Sequence, residues 1–521
     1  MAEMKKTLGL TGVTVNAMAL IAPGAFLWIT YQVQIANTSP SGDSTAMDVW
    51  PGIVFALILA FLTAISYSEL AKIYPEAGTG SAYYFAEKAF IDKEETRHHK
   101  WARLAKLTTG WAAHLFYWVY PGVMVAFMAT LIQYILGAFG ITIGLPIEIV
   151  IACLFSLGVG VIAYRGVSGS TTTALMINII QLTALAVFAI LAIVYRTGNP
   201  DHAKFVFSGA TDVMLPHNML NVLFQATIAI LILVGFESCT AFGAEAKNAR
   251  RDVPRAVILA LVIQGLLAYL FEYFAANYGL SDKLTGPCPT AGCTPDPITH
   301  QVPTALHGLD AAAASSAPIG DMIIQMVNGL MGGQGFGFGL MIVIAVTVAL
   351  AILGTTLSAM NTAVRITYAM AQDSEMPQPL GLLHLENATP HVAVWALVVV
   401  SAIIGSIGTV SVVYLTGITL ASNFGTFVLY ALTCLWTIIA FAGRPNFSLV
   451  KHLIVPVMGL LANLAMLLTI LGLGFIGGGD SQTESMMALI IAGLWLVASV
   501  AYVLFNNRKT GRTLMGVSVA S

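Results

Sequence analysis

Long apolar runs separated by short polar segments form the dominant pattern of this chain. A helix that crosses a lipid bilayer needs about 20 mostly apolar residues. Twelve runs meet that requirement, at approximately residues 10–34, 51–73, 109–137, 147–164, 171–195, 219–243, 255–279, 336–371, 391–409, 411–441, 453–476 and 486–506. The pattern therefore predicts an all-α integral membrane protein with 12 transmembrane helices.

The distribution of lysine and arginine gives these helices an orientation. Cytoplasmic loops of membrane proteins carry an excess of both residues. With the N-terminus inside, only Arg196, Lys204 and Lys283 fall outside, which leaves 20 of the 23 basic residues on the cytoplasmic side. Both termini are predicted to be cytoplasmic. Lys5 and Lys6 precede an apolar run without a small-residue cleavage site, which favours a retained first helix over a signal peptide.

Composition supports this interpretation and excludes other classes of protein. Hydrophobic residues make up 57% of the chain and charged residues 9%, far from the averages of soluble domains. The formal net charge of -2 provides no field that would attract nucleic acid. The ten histidines are scattered, and the sequence contains neither an H-E-x-x-H motif nor a metal-spaced Cys/His set. No metal, no cofactor and no enzymatic activity is predicted.

Two polar segments are long enough to carry structure of their own. Residues 75–108 end in WARLAK, which is predicted to form a short helix on the membrane surface. Residues 281–335, placed outside, include IGDMIIQMVNGLM, an amphipathic helix for which a lid and a plain connector are both open interpretations. The same segment holds Cys288 and Cys293, for which a local disulfide and two free thiols both remain open.

The first apolar run is interrupted at its centre by IAPGAF, residues Ile21 to Phe26. Pro23 removes a backbone donor and clashes with the preceding turn, and Gly24 lowers the cost of leaving helical geometry. The first helix is therefore predicted to kink or break at this point.

The sixth apolar run contains VGFESC, residues Val234 to Cys239, at the corresponding place in a second half of the chain. A charged carboxylate such as Glu237 costs roughly 3 kcal/mol at the centre of a membrane unless it faces protein or water. Interrupted helices in matching positions of two halves indicate a binding site at the membrane midplane. Because broken helices offer N–H groups to a carboxylate and C=O groups to an ammonium, an amino acid suits such a site. Pro and Gly also bend membrane helices without any binding role, which is the alternative for either break alone.

Four ordered segments resemble motifs of the amino acid/polyamine/organocation superfamily. They are IAPGAF at 21–26, YSELAKIYPEAGTGSAYYFAEKAF at 67–90, GFESCTAFGAEAKNARRDVPRAV at 235–257 and RITYAMAQDSEMP at 365–377. The resemblance runs through residues 8–445. It implies a leucine-transporter-like fold, in which helices 1–5 and 6–10 form a five-plus-five inverted repeat, helices 1 and 6 are interrupted, and transport proceeds by alternating access. One integrated transport domain would comprise residues 1–255 (the first repeat and helix 6), 256–445 (the rest of the second repeat) and 446–521 (two peripheral helices and the tail).

The resemblance also assigns substrate-binding residues position by position. They are Ile21, Ala22, Gly24 and Ala25 from the first helix and Val234, Gly235, Phe236, Glu237 and Ser238 from the sixth. Phe236 is the candidate for the side chain that occludes the substrate. Pro23 offers no N–H, so the cradle for a substrate carboxylate is one donor poorer, which favours an amine or polyamine. Amino acids remain the preferred substrate class.

The energy source is predicted to be an ion or exchange, because no G-x-x-x-x-G-K-[ST] motif for nucleotide binding is present. A sodium site is one alternative. Ile352, Thr355 and Thr356 on the eighth helix offer oxygen atoms beside the first break, although Thr hydroxyls also cap carbonyls within membrane helices.

Protons are the other coupling ion considered. Buried ionisable groups serve in proton relays, and the candidates are Glu237, Glu69, Glu245, Glu272 and His114, with Glu237 first because it stands at the break. Glu69 and Glu245 are nearer the cytoplasmic end and are alternatively expected to hold a gate through ion pairs with basic residues. His114 faces the cavity or packs as an aromatic ring.

These observations predict a secondary active permease for amino acids in the plasma (inner) membrane, working by proton-coupled symport or exchange. The expected partners are a small amino acid or amine, a coupling ion and the lipid bilayer, with no nucleic acid. The alternatives are a polyamine transporter of the same fold, a sodium-coupled symporter and a sensor that does not transport. A channel is disfavoured because the sequence shows no pore-lining repeats or selectivity rings.

Overall fold

The computed structural model describes residues 7–21, 23–75, 80–93, 96–165, 171–243, 245–287, 305–333, 335–387 and 389–515. Ala22, Cys288 and Cys293, for which the sequence makes predictions, lie outside these residues. For Gly24 and Ala25 the structure describes the helical backbone alone.

Helices account for nearly all of the described chain, as a bilayer requires, because a helix satisfies its own backbone hydrogen bonds. In chain order they are α1 (Leu10–Ile21), α2 (Pro23–Ala36), α3 (Val49–Ile73), α4 (Ala82–Ile91), α5 (Ala102–Ala138), α6 (Leu145–Tyr164), α7 (Thr171–Gly198), α8 (Ala210–Met214), α9 (Met219–Ala229), α10 (Ala249–Leu261), α11 (Leu270–Gly279), α12 (Gly308–Ala314), α13 (Pro318–Met331), α14 (Phe336–Gln372), α15 (His391–Gly408), α16 (Val412–Phe441), α17 (Val455–Ile476) and α18 (Gly479–Thr510). The 3-10 segments are Ala46–Asp48, Thr96–Trp101, Ile230–Ile232, Phe236–Phe242 and Gln378–Gly381, and π-helical turns occupy Val262–Tyr269 and Val450–Ile454.

Within the described residues, 11 helical spans are long and apolar enough to cross a membrane. They correspond to the second to twelfth apolar runs of the sequence, with ends that differ from the predicted ones by a few residues. The first run contains α1 and α2, which lie on either side of residue 22, and neither helix by itself has the length of a span. The all-α membrane class is confirmed.

The long helix α5 lies at the centre of the bundle and packs against α4, α14, α15 and α16. Inside the protein, 94% of the apolar stretch of this span is buried, against 11% for α18. Helices such as α6, α17 and α18 expose Leu154, Leu468 and Leu494, as expected for surfaces that face lipid tails. The sixth span, which contains α9, is 78% buried inside the protein, and most residues of α1 are buried as well.

The segment WARLAK forms no separate surface helix, which corrects that prediction. Ala102 begins α5, so the segment supplies the first turn of a membrane span. Arg103 and Lys106 are buried there because carboxylates neutralise them, with Arg103 bound to Glu375 and Lys106 to Glu87 and Asp373. The sequence shows the two basic residues, but it does not show that carboxylates from other segments pair with them.

The long polar segment between α11 and α14 contains the predicted helix IGDMIIQMVNGLM, which is α13. An antiparallel pair of strands, β1 (Thr285–Pro287) and β2 (Ala305–His307), and α12 precede it. The Asp321 carboxylate ties α13 to α5, since it accepts hydrogen bonds from Tyr134 Oη at 2.7 Å and Ser315 Oγ at 2.5 Å. Burial raises the pKa of Asp321, and these two hydrogen bonds oppose that rise.

One end of the bundle carries Lys72, Arg365 and Arg444, and we call it the basic end. Helix α13 and the strand pair lie at the opposite end. The two breaks in the first and sixth spans lie between these ends.

Candidate functional site

The last turn of α1 meets the interruption of the sixth span in the interior of the protein. After the 3-10 turn Ile230–Ile232, the sixth span reaches Gly235, whose φ of +122° is a conformation that L side chains rarely adopt. A Cβ atom at Gly235 would lie 3.0 Å from the side chains of both Leu20 and Ile21. Glycine is therefore required at this position for two reasons: the backbone turn has a positive φ, and the first span packs too close for a side chain. The structure brings Ile21 and Gly235 together, and their role in binding substrate stays a prediction.

The last turn of α1 exposes backbone carbonyls at the break, and side chains from several other helices bind them. Tyr120 Oη donates to Leu20 O at 3.3 Å, Tyr269 Oη to Ile21 O at 2.8 Å, Gln264 Nε2 to Met18 O at 3.0 Å and Thr355 Oγ1 to Ala19 O at 3.2 Å. Buried carbonyls need such partners. The end of α1 is thus a polar centre inside an apolar bundle.

Glu237 is the buried acid of the site, and three neutral donors bind its carboxylate. Gly235 N–H donates to Oε2 at 2.9 Å and Tyr430 Oη donates to the same atom at 2.7 Å. Tyr117 Oη donates to Oε1 at 2.9 Å. Among the residues that the structure describes, none of the hydrogen bonds or ion pairs of this carboxylate comes from a basic side chain.

A close approach of α16 to α5 brings the two tyrosines to Glu237. A Cβ atom at Gly425 would lie 2.8 Å from Phe116 N, so a side chain at this position would push the helices apart. Small residues allow membrane helices to pack at such short distances. Tyr117 follows Phe116 directly, and Tyr430 lies little more than one turn beyond Gly425.

Aromatic rings surround Phe236, the predicted occluding side chain. Its ring lies 5.4 Å from that of Tyr430 and 6.2 Å from that of Tyr67, measured between centroids. The Tyr67 hydroxyl is buried beside Thr433, and none of the geometric hydrogen bonds found within the described residues involves it. The site therefore has an aromatic wall with one polar group that can turn toward a ligand.

Hydroxyl groups stabilise the unwound segment after Gly235. Ser238 Oγ donates to Gly235 O at 2.6 Å, and Thr240 Oγ1 donates to Glu237 O at 2.6 Å. Val234 is buried and closes the turn from Ile230 through its N–H. These bonds replace the helical ladder that the break interrupts.

The predicted sodium oxygens divide between two environments. Thr355 points to Ala19 O at the break, whereas Thr356 Oγ1 donates to Ile352 O at 2.6 Å within its own turn. This second bond is the capping role that membrane Thr residues commonly adopt. The sodium site stays a prediction.

Glu69 and Glu245 belong to the basic end and not to the break. Glu69 binds Lys72 Nζ at 2.5 Å and His452 Nε2 at 3.3 Å, and Glu245 binds Arg365 Nη2 at 3.0 Å. The backbone N–H groups of residues 7 and 8 both donate to the carbonyl oxygen of residue 245 at 3.0 Å. Strand-like pairing and an ion pair thus join the entrance of the first span to the exit of the sixth.

His114 and Glu272 lie apart from the Glu237 cluster. The His114 ring packs against Trp118 at 4.5 Å and Trp495 at 5.1 Å, and it lines a cavity between α5 and α18. Glu272 is buried on α11, and its Oε2 has no hydrogen-bond partner among the described residues. The structure therefore connects only Glu237, among the predicted proton carriers, to the helix breaks.

Comparison with known proteins adds the family. The sequence profile described as "Amino acid permease" matches residues 6–497. The chain belongs to the amino acid permease family. Permeases are transporters, so the expectation that this protein is not an enzyme is confirmed.

Individual permeases are similar to this one over most of their length. The branched-chain amino acid permease BcaP of Lactococcus lactis subsp. cremoris is 25% identical over 390 residues, which cover 70% of each chain. The low-affinity putrescine importer PlaP of Escherichia coli K12 is 23% identical, covering 74% of this chain and 72% of its own. The methylthioribose transporter of Bacillus subtilis is 22% identical, covering 70% of this chain and 68% of its own.

Several residues of this permease site were absent from the sequence prediction. They are Tyr67, Tyr120, Tyr269, Tyr430 and Gln264, which come from four different spans. Each is a polar group within an apolar run, and a buried polar group needs a partner. That signal identifies them as polar positions of the interior, but their partners depend on tertiary packing.

Substitution of Gly235 by alanine is expected to destabilise this permease. Backbone strain of this kind costs about 1 to 3 kcal/mol, and the contacts with Leu20 and Ile21 add to it. Thermal unfolding in detergent and initial uptake rates measure the effect. Gly472→Ala on α17 is the control, since a Cβ atom there meets no atom within 4 Å. Equal melting temperatures for the two variants would contradict the role assigned to Gly235.

Proposed function

We propose that this permease is a secondary active transporter of amino acids, driven by protons or by exchange, with its substrate site where the two breaks meet. The observation that carries the proposal is the buried carboxylate of Glu237, which is bound only by neutral donors among the described residues. Such a carboxylate in the membrane interior needs a positive partner, because an uncompensated charge there is costly.

Two positive partners suit Glu237. A proton neutralises the carboxylate when the site is empty, and the ammonium group of an amino acid neutralises it when substrate is bound. The carbonyls of Leu20 and Ile21 can accept a second hydrogen bond from that ammonium, since each oxygen has two lone pairs. The Tyr67 hydroxyl is an available donor for the substrate carboxylate. Glu237 thereby links substrate binding to proton movement.

The arrangement of the breaks supports the proposed five-plus-five inverted repeat with 12 membrane helices. Alternating access requires contacts that can open at each end of the bundle. At the basic end these are the pairing of residues 7 and 8 with residue 245 and the ion pair between Glu245 and Arg365. At the opposite end, α13 is held to α5 by Tyr134 and Asp321. We assign the role of external lid to α13.

The basic end is proposed to face the cytoplasm. The sequence assigns 20 of the 23 lysine and arginine residues to the side of the membrane on which Lys72, Arg365 and Arg444 lie, and this excess is the signal that orients multi-pass proteins. The protein then resides in the plasma (inner) membrane with both termini inside.

Diamines or polyamines are a second candidate substrate class. Helix α2 begins at Pro23, which has no N–H to offer to a carboxylate. Glu237 instead suits a cation, and the relative PlaP is named a putrescine importer. A diamine has no carboxylate, so it does not need the backbone N–H donor that Pro23 cannot supply.

Uptake into proteoliposomes of the purified permease tests the proposal. Radiolabelled amino acids and putrescine are scanned under a proton gradient, a sodium gradient, or internal substrate alone. Saturable amino acid uptake that requires the proton gradient or internal substrate supports the proposal, and saturable putrescine uptake supports the second candidate. Dependence on sodium would favour the oxygen atoms at Thr355 instead. Absence of flux for all substrates and gradients would leave a sensor.

A further inference from the structure

A basic pocket lies at the basic end, between the ends of α3, α10 and α16, outside the substrate site. Its volume is about 380 Å³. The charged residues that line it are Glu69, Lys72, Arg250, Arg251 and Arg255, and Phe441 is among the apolar ones. Transport at the helix breaks does not explain why so many basic side chains line this pocket.

The acid in this pocket neutralises little of its positive charge. Both oxygens of Glu69 are occupied, one by Lys72 at 2.5 Å and the other by His452 at 3.3 Å. Arg250, Arg251 and Arg255 are exposed, and none of the ion pairs or hydrogen bonds found within the described residues involves their side chains. Within the part of the chain that the structure describes, the pocket thus presents three guanidinium groups without an anionic partner.

The positive charges of Arg250 and Arg251 do not stabilise α10, the helix that carries them. Arg250 and Arg251 stand in the first turn of α10, where the helix dipole disfavours positive charge. Asp252, the acid in that turn, is buried and does not line the pocket. Their position is therefore better explained by an external anion than by helix stability.

The chemistry of the pocket fits a phosphate group. Guanidinium groups present planar pairs of N–H donors that match phosphate oxygens, and Arg is more weakly hydrated than Lys. Basic pockets between membrane helices on the cytoplasmic side bind the headgroups of anionic lipids.

Apolar surface leads from the pocket toward the bilayer, which selects a lipid over a soluble anion. On α3, Ile58 is 54% exposed, and Ile58, Phe61 and Ile65 follow one face of the helix toward Lys72. On α10, Leu259 is 39% exposed and lies one turn beyond Arg255. Acyl chains can lie along both surfaces while the phosphate remains among the arginines.

We infer that this pocket binds the phosphate of an anionic phospholipid whose acyl chains lie against α3 and α10. The bound lipid neutralises the arginines and joins the end of α3 to the start of α10. Because α10 follows the exit of the sixth span, the site lies next to the helix that alternating access must move. Lipid binding is measured without flux, so its test is independent of the transport proposal.

Native mass spectrometry of the full-length permease, titrated with phosphatidylglycerol or phosphatidylcholine in detergent, tests this inference. Wild-type protein is expected to bind the anionic lipid more tightly, with an affinity that falls as salt rises. The affinity of the variant Arg251→Gln/Arg255→Gln for the anionic lipid should be about 25-fold lower, from about a factor of five for each arginine. The control Arg508→Gln/Lys509→Gln removes the same charge from the last turn of α18, at the same end, and should bind as wild type does.

Three outcomes would overturn the inference. Wild-type protein that shows equal affinity for both lipids at low salt excludes a phosphate-selective site, and this result needs no variant. Equal losses in the two double variants would show general surface attraction. Competition by glycerol 3-phosphate at the affinity of phosphatidylglycerol itself would identify a soluble phosphate ester as the ligand and exclude the lipid.

Discussion

Proton-driven uptake is expected to fall about 10- to 100-fold when Glu237 is replaced by glutamine. Three donors now converge on the carboxylate, from Gly235 N–H, Tyr117 and Tyr430, so the NH₂ group of the amide would face one of them. The neutral side chain also loses its attraction for an ammonium and its capacity to carry a proton. Loss of a hydrogen bond to a charged group costs about 1.5 to 3 kcal/mol, which gives the expected factor. Initial uptake rates in proteoliposomes measure it.

Glu148→Gln is the matched control for Glu237→Gln. Glu148 is also a buried acid within a span, and Gln133 donates to it at 2.7 Å, on α6 and away from the breaks. Substrate exchange without a gradient separates two roles of Glu237. Exchange that persists in the variant assigns Glu237 to the proton alone, whereas its loss assigns the residue to the ammonium as well. Unchanged proton-driven uptake in the variant is incompatible with both roles.

Replacement of Arg103 by alanine is expected to destabilise the protein by about 3 to 5 kcal/mol. Arg103 binds both oxygens of Glu375, with Nε–Oε1 at 2.7 Å and Nη2–Oε2 at 2.8 Å, and the two side chains are only 3% and 1% exposed. The same guanidinium donates to Thr513 O and Asn507 Oδ1, so it also holds the C-terminal segment. Its removal leaves the buried carboxylate of Glu375 with a weaker partner, Arg512, whose Nη1 lies 3.8 Å from Oε1. The melting temperature of the protein in detergent reports the change.

Arg444→Ala provides the comparison, because its pair with Asp92 is 29% and 46% exposed. Exposed pairs contribute about 0 to 1 kcal/mol, so a small shift is expected. The double variant Arg103→Leu/Glu375→Leu should recover much of the lost stability, since removing both charges leaves neither unpaired. Similar melting temperatures for Arg103→Ala and Arg444→Ala would show that the buried ion pair contributes no more to stability than the exposed one.

The helix breaks were predictable from sequence because their causes are local. Pro23 cannot donate within a helix, and Gly235 tolerates a positive φ whatever the rest of the chain does. The structure shows the interruption of the sixth span at Gly235, whose φ is +122°. The predicted break of the first span falls at residue 22, outside the described residues. Glu237 was likewise predictable as a residue that faces protein and not lipid, because a carboxylate in an apolar run is costly in any membrane fold.

The partners of these residues were not predictable, because they are distant in sequence. Tyr430 lies 193 residues from Glu237, and Tyr117 lies 120 residues from it. Nothing in the local pattern of α16 distinguishes Tyr430 from a tyrosine that packs in the core. The placement of His114 against Trp495 had the same cause, since its neighbour belongs to the last span.

By itself, the sequence determined the membrane class, the apolar spans, their bias of basic charge and the two points at which spans are interrupted. Each follows from hydropathy, charge or backbone chemistry over a few neighbouring residues. Only the tertiary structure decided which donors reach Glu237, which basic residues pair with Glu69 and Glu245, and which arginines are left for a lipid phosphate. Those contacts depend on the packing of helices that are far apart along the chain. The periodicity of residues within one helix does not indicate which other helix lies beside it.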